Sequence, residues 1–115
     1  MRWVLYLVVI LLVGCASEAV QLTGKTKEFE LTASSFEFEP ALITVAAGDH
    51  VKLLVTAADK DHGLALPAFG VNTKTQKGIV TIIEFDATRR GLFEYRCNTF
   101  CGSGHDAMIG AIEVQ

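Results

Sequence analysis

Near the C-terminus, the stretch CNTFCGSGHDAM, residues 97–108, gathers Cys97, Cys101, His105 and Met108 into a single short segment. A loop that folds back between two strands aims side chains at this spacing toward one point, and Gly102 and Gly104 supply the backbone freedom a tight return needs. Thiolate, imidazole and thioether together favour copper: thiolate and thioether suit Cu(I), imidazole suits Cu(II), and a thioether offers little to zinc or iron–sulfur. One cysteine, one histidine and a weak axial methionine suffice for a single copper, so the second cysteine asks for a second metal. His62, at the head of the apolar stretch HGLALPAF, offers a second imidazole. Two bridging thiolates with one histidine on each metal make a dinuclear copper core.

Other uses of these residues stay open at this level. A Cys97–Cys101 disulfide is the default for two cysteines in an exported chain, but it leaves His105 and Met108 unexplained. A zinc site of His62, Cys97, Cys101 and His105 is chemically possible and leaves Met108 idle. A mononuclear copper site with a spare cysteine, or Met108 as core filler, completes the alternatives. His50, after the turn at Gly48-Asp49, reads as a solvated surface residue. Asp59 and Asp61, flanking Lys60, suggest at most a weak acidic patch.

The elements that must position these donors read as strands. Phe29 and Leu31, then Phe36 and Phe38, stand two apart, as in half-buried strands. LITV resumes after Pro40, and HVKLLVTAA puts Val51, Leu53 and Val55 on one face. Residues 59–78 read as irregular. IVTIIEFDA, LFEYRC and MIGAIEVQ supply three further strands, and no segment holds a helical period. Short strands between turn signals predict an all-β Greek-key sandwich. The only tryptophan is Trp3, so the core of such a domain rests on Phe, Leu, Ile and Val.

The first residues, MRWVLYLVVILLVGCAS, place Arg2 before an apolar run too short to span a bilayer but suited to a secretory signal. LVGC, residues 12–15, resembles the bacterial lipobox, which implies cleavage before Cys15 and lipid on its sulfur; an uncleaved short anchor or a coincidental cysteine is the plainer reading. The expected organisation is a lipoprotein signal peptide at 1–14, a lipidated N-terminus and tether at 15–27, and the folded domain at 28–115. Such a chain lies in a bacterial cell envelope, lipid-anchored and facing the periplasm or the cell exterior. A formal net charge of −3 without a basic stripe argues against nucleic acid as a partner.

CNTFCGSGHDAM is similar to the C-x-x-x-C-x-x-x-H-x-x-M loop of the CuA domain of haem-copper oxidase subunit II and nitrous oxide reductase. DHGLALPAFGV resembles the segment that gives that family its first histidine. FEFEPALITVAAGDHVKL and GLFEYRC resemble the opening and the penultimate strand of cupredoxins. The likeness covers about residues 28–115 and implies a cupredoxin-like sandwich holding two copper ions. It implies bridging by Cys97 and Cys101, terminal ligation by His62 and His105, a weak axial bond from Met108 and a backbone carbonyl ligand from Thr99. At the position of Thr99, oxidase subunits carry a glutamate that helps to hold magnesium, and the reductases carry a tryptophan. This departure questions docking as an oxidase subunit and leaves copper binding untouched, because any residue keeps its carbonyl.

The function this implies is one-electron transfer by a free-standing, membrane-tethered, monomeric domain. Its partner would be a redox protein such as a c-type cytochrome or a terminal oxidase. No open coordination position is left for a substrate, so the chain reads as a carrier and not an enzyme. The apolar LALPAF beside His62 is either a docking skin or ordinary core. The rival function is a periplasmic chaperone carrying Cu(I) to an oxidase or reductase.

Overall fold

The computed structural model describes residues 19–115. The readings at the signal segment and at Cys15 lie outside the described residues. Among the described residues nine strands follow in order: β1 Thr26–Ser34, β2 Glu37–Glu39, β3 Leu42–Val45, β4 His50–Ala57, β5 His62–Leu66, β6 Val71–Thr75, β7 Val80–Asp86, β8 Gly91–Arg96 and β9 Ile109–Val114. Two sheets form, one ordered β2-β1-β4-β7 and the other β3-β9-β8-β5-β6. The chain passes between the sheets five times, which makes the all-β sandwich expected from the strand pattern.

Alternation decides which face turns inward. In β4, Val51, Leu53, Val55 and Ala57 are fully buried, and the residues between them are half exposed. Burying each of the larger three stabilises the fold by about 1.5–3 kcal/mol. Opposite them lie Leu64 and Leu66 of β5 and Ile112 of β9, all without exposed surface. Tyr95 and Phe38 meet edge to face, with centroids 5.1 Å apart. The Tyr95 hydroxyl donates to the Pro40 carbonyl at 3.2 Å, and burial pushes its pKa up to about 12.

Residues 59–78 differ from the irregular stretch that their composition suggests. They form the antiparallel pair β5–β6, turned by a short 3-10 helix over Pro67–Phe69 with Gly70 left-handed at φ 70°. The reason is burial. In β5 only Ala65 is even partly exposed, so the two-residue alternation that reveals a half-buried strand is erased. Leu64 and Leu66 are therefore core, and β5 carries the LALPAF segment away from His62 toward the opposite end. There Phe69 packs on Phe85 and Phe93.

Strand direction sorts the molecule into two poles. β1 and β4 run parallel, with Thr26 beside His50 at one pole and Ala33 beside Ala57 at the other. The second pole also receives the start of β5, the end of β8 and the start of β9. It thus collects His62, Cys97 and the loop through Met108.

Candidate metal centre

The 97–108 loop returns on itself because its ends are tied. Arg96 pairs with Ile109 in the β8–β9 ladder, and the Cys97 N–H donates to the Met108 carbonyl at 3.2 Å. Inside the loop, a single 3-10 turn over His105–Ala107 turns His105 inward. Phe36 supports this turn from below. A Cβ at Gly104 would stand 2.3 Å from the Phe36 ring, and one at Gly102, where φ is 135°, would stand 2.9 Å from it. Both glycines are thus required by close approach to an aromatic ring.

Six donors converge. Cys97 Sγ lies 4.0 Å from Cys101 Sγ, 3.9 Å from His62 Nδ1 and 3.1 Å from the Thr99 carbonyl oxygen. Cys101 Sγ lies 3.6 Å from His105 Nδ1 and 4.0 Å from Met108 Sδ. Both cysteines are free thiols and nearly fully buried, and His62 and Met108 have no exposed surface. A cation bound by ligands at about 2.0–2.3 Å holds neighbouring donors about 3.3–3.8 Å apart. The five spacings run from 3.1 to 4.0 Å, close to that range, so the residues fit a bound metal. The donor set is soft, with Cys101 Sγ 4.0 Å from both the Cys97 and the Met108 sulfur, which fits copper better than zinc.

Surrounding groups orient the donors. His62 Nε2 and Asp59 Oδ1 are 2.7 Å apart. With Nε2–H donating to the carboxylate, Nδ1 presents its lone pair to Cys97. Hydrogen bonding from Ser35, foremost, and from His62 holds the Asp59 carboxyl well below the usual carboxylate range. The Ser35 backbone N–H donates to its Oδ2 at 3.0 Å. Burial, and then Cys97, pushes the Cys101 thiol up, while Lys60 opposes the rise. The other half of the loop is held through Asn98. Its side-chain amide donates to Asn72 Oδ1 at 2.6 Å and to the Thr73 carbonyl at 3.2 Å, and it occupies the space where a Cβ on Gly63 would stand.

All six donors named from the sequence, His62, Cys97, Thr99, Cys101, His105 and Met108, meet at this pole. His50 does not. It sits at the opposite pole, half exposed, with Nδ1 2.8 Å from Asp86 and Nε2 3.1 Å from Glu84. Asp61 accepts the Lys77 N–H at 2.8 Å and Asp59 faces His62, so the two carboxylates have separate local roles. Sequence reasoning missed Asp59 as the partner of His62, although the spacing of an acid three residues before a histidine was there to read. It also missed Phe36 and Phe100. Phe100 is 80% exposed, with its ring 5.7 Å from that of His105.

The family model for the periplasmic domain of cytochrome c oxidase subunit II matches residues 25–115. Cytochrome c oxidase subunit 2 of Thermus thermophilus is 29% identical over 100 residues, covering 86% of this chain and 74% of that protein. The corresponding subunit of Vanderwaltozyma polyspora is 33% identical over 108 residues, covering 85% of this chain but 43% of its own length. A chain of a haem-copper terminal oxidase dimer solved by cryo-EM superposes with a TM-score of 0.71 at 27% identity, covering 90% of this chain and 74% of that one.

Proposed function

The chain belongs to the family of the cytochrome c oxidase subunit II periplasmic domain, a CuA-type cupredoxin, and from that premise we propose that it is a one-electron carrier with a dinuclear copper centre. In this reading Cys97, Cys101, His62 and His105 would hold the two coppers, and Met108 and the Thr99 carbonyl would add weaker bonds. The domain works on the periplasmic side of a bacterial membrane, tethered by lipid at Cys15 through residues 15–27. Its partner is a c-type cytochrome or a terminal oxidase.

The observation that carries the reading is the enclosure of both free thiols among four further donors. When bound, the copper pair supplies an electron shared across two sulfurs with little change in geometry. The protein's own residues do the rest. Asp59 orients His62, Phe36 and the β8–β9 closure hold the loop in one shape, and the buried sulfurs are shielded from water. A rigid, dry frame keeps reorganisation on electron gain small. Phe100 and the half-buried His105 stand at the surface as the contact through which the electron passes.

A second reading, copper delivery to an oxidase, draws support from that same exposure. The outer half of the loop, Gly102–Ala107, is open enough for a partner's ligands to reach. One experiment separates the two. The folded domain is loaded with copper, counted for metal, and its half-oxidised spin spectrum recorded. It is then challenged with a moderate Cu(I) chelator and with a reduced c-type cytochrome. A carrier binds two coppers, shows hyperfine coupling to both, keeps them against the chelator and exchanges electrons rapidly. Cys101→Ser falls to at most one copper. Saturation of the wild type at one copper removes the dinuclear reading. Ready loss of Cu(I) with slow electron exchange favours delivery.

A further inference from the structure

We propose that Lys60 is a positioning residue of the metal centre that raises its reduction potential and slows release of its metal, acting through the backbone of Cys101. The inference rests on the ligand assignment above and concerns a side chain outside it. Lys60 lies in the connection between β4 and β5. Its Nζ donates to the Cys101 carbonyl at 2.8 Å and sits 6.0 Å from the centroid of the Phe36 ring. The contact spans the sheets and joins residues far apart in the chain, binding the β4–β5 connection to the middle of the 97–108 loop.

The neighbours explain why Lys60 alone turns this way. Asp59 is engaged by His62 and by the Ser35 N–H, and Asp61 by the Lys77 N–H. Among the described residues, the Lys60 ammonium forms no ion pair. Its charge is therefore not cancelled by a carboxylate and is directed at the loop. The Cys101 backbone is clamped from two sides, by this ammonium and by Phe36 beneath Gly102 and Gly104.

Two consequences follow from elementary electrostatics. A centre built on two thiolates gains one more negative charge when it takes up an electron, and a fixed positive charge nearby favours that state. Lys60 therefore raises the potential, and added salt weakens its effect because the side chain is reached by solvent. The hydrogen bond also ties down the residue that carries one bridging sulfur, so its loss loosens the loop that must open before metal leaves.

The test uses the copper-loaded wild type and three variants, with copper per chain and the far-ultraviolet spectrum measured first. Lys60→Met removes charge and donor, Lys60→Gln keeps an amide donor without charge, and Lys60→Arg keeps both. We expect the midpoint potential to fall in Lys60→Met and Lys60→Gln, more at low ionic strength than at high, and to stay with the wild type in Lys60→Arg. Copper loss to a Cu(I) chelator should be about fivefold faster in Lys60→Met, the factor expected from losing one ordinary hydrogen bond, and restored in Lys60→Arg. A folded, fully loaded Lys60→Met with the wild-type potential at low ionic strength and the wild-type release rate overturns the proposal. A wild type that binds no copper overturns the ligand assignment instead, so the two failures are told apart.

Discussion

At the scale of single residues, the centre depends on side chains that touch its donors as much as on the donors. Asp59 shows this. Its carboxylate accepts from His62 and thereby sets which ring nitrogen faces the sulfurs. Removing such a partner lowers metal affinity about 10- to 100-fold. Asp59→Ala should therefore weaken copper binding by that factor, measured by chelator competition, with the sandwich still folded. Asp59→Asn keeps an acceptor without the charge and should recover part of the loss. An affinity equal to wild type in Asp59→Ala would mean that strand packing alone orients His62.

Secondary elements supply the precision the donors need. The 97–108 loop is short, starts and ends on paired strands, and rests on Phe36, so its shape is set by its supports. The same logic applies two residues beyond it. Gly110, in β9, faces Tyr95 across the β8–β9 ladder, and a Cβ there would stand 2.3 Å from the tyrosine ring. That ring is fully buried and its hydroxyl is tied to Pro40, so it has nowhere to move. Overpacking of this kind costs about 1–3 kcal/mol. Gly110→Ala should show that loss in denaturant unfolding of the metal-free domain. The copper site should loosen with it, since Met108 lies two residues before. Unchanged stability would show that the ring adjusts.

For the whole molecule, two sets of ionisable groups respond to pH in opposite senses. Asp86 first, and then Glu84, raise the pKa of His50 above its ordinary value of 6.5. The folded state thus holds that proton more tightly than the unfolded chain does. The resulting stability is complete below about 6.5 and fades as pH rises through the higher folded value. Asp49, lowered first by the Thr23 hydroxyl, and Asp59 act the other way. Their contribution is present above the unfolded carboxylate range and is lost as pH falls toward the folded values. His50→Gln should therefore lower the stability of the metal-free domain at about pH 5.5 and leave it nearly unchanged at about pH 9. Thermal unfolding at the two values checks this, and equal losses at both would show that His50 acts by packing and not by charge.

The sequence alone carried the loop chemistry, the sandwich and the family. Donor spacing is local, and half-buried strands such as β4 print their alternation directly into the residue order. Neither needs knowledge of a distant neighbour. Residues 59–78 were misread for the complementary reason: a strand covered on nearly all sides has no alternation to print. Only the tertiary structure decided that Leu64 and Leu66 are core, that Phe36 lies under Gly104, and that Lys60 reaches Cys101. Those contacts join residues far apart in the chain, and they arise because the sandwich brings the ends of β1, β4 and β8 to one pole. Contacts of that kind are set by where strands end in space, which no spacing along the chain encodes.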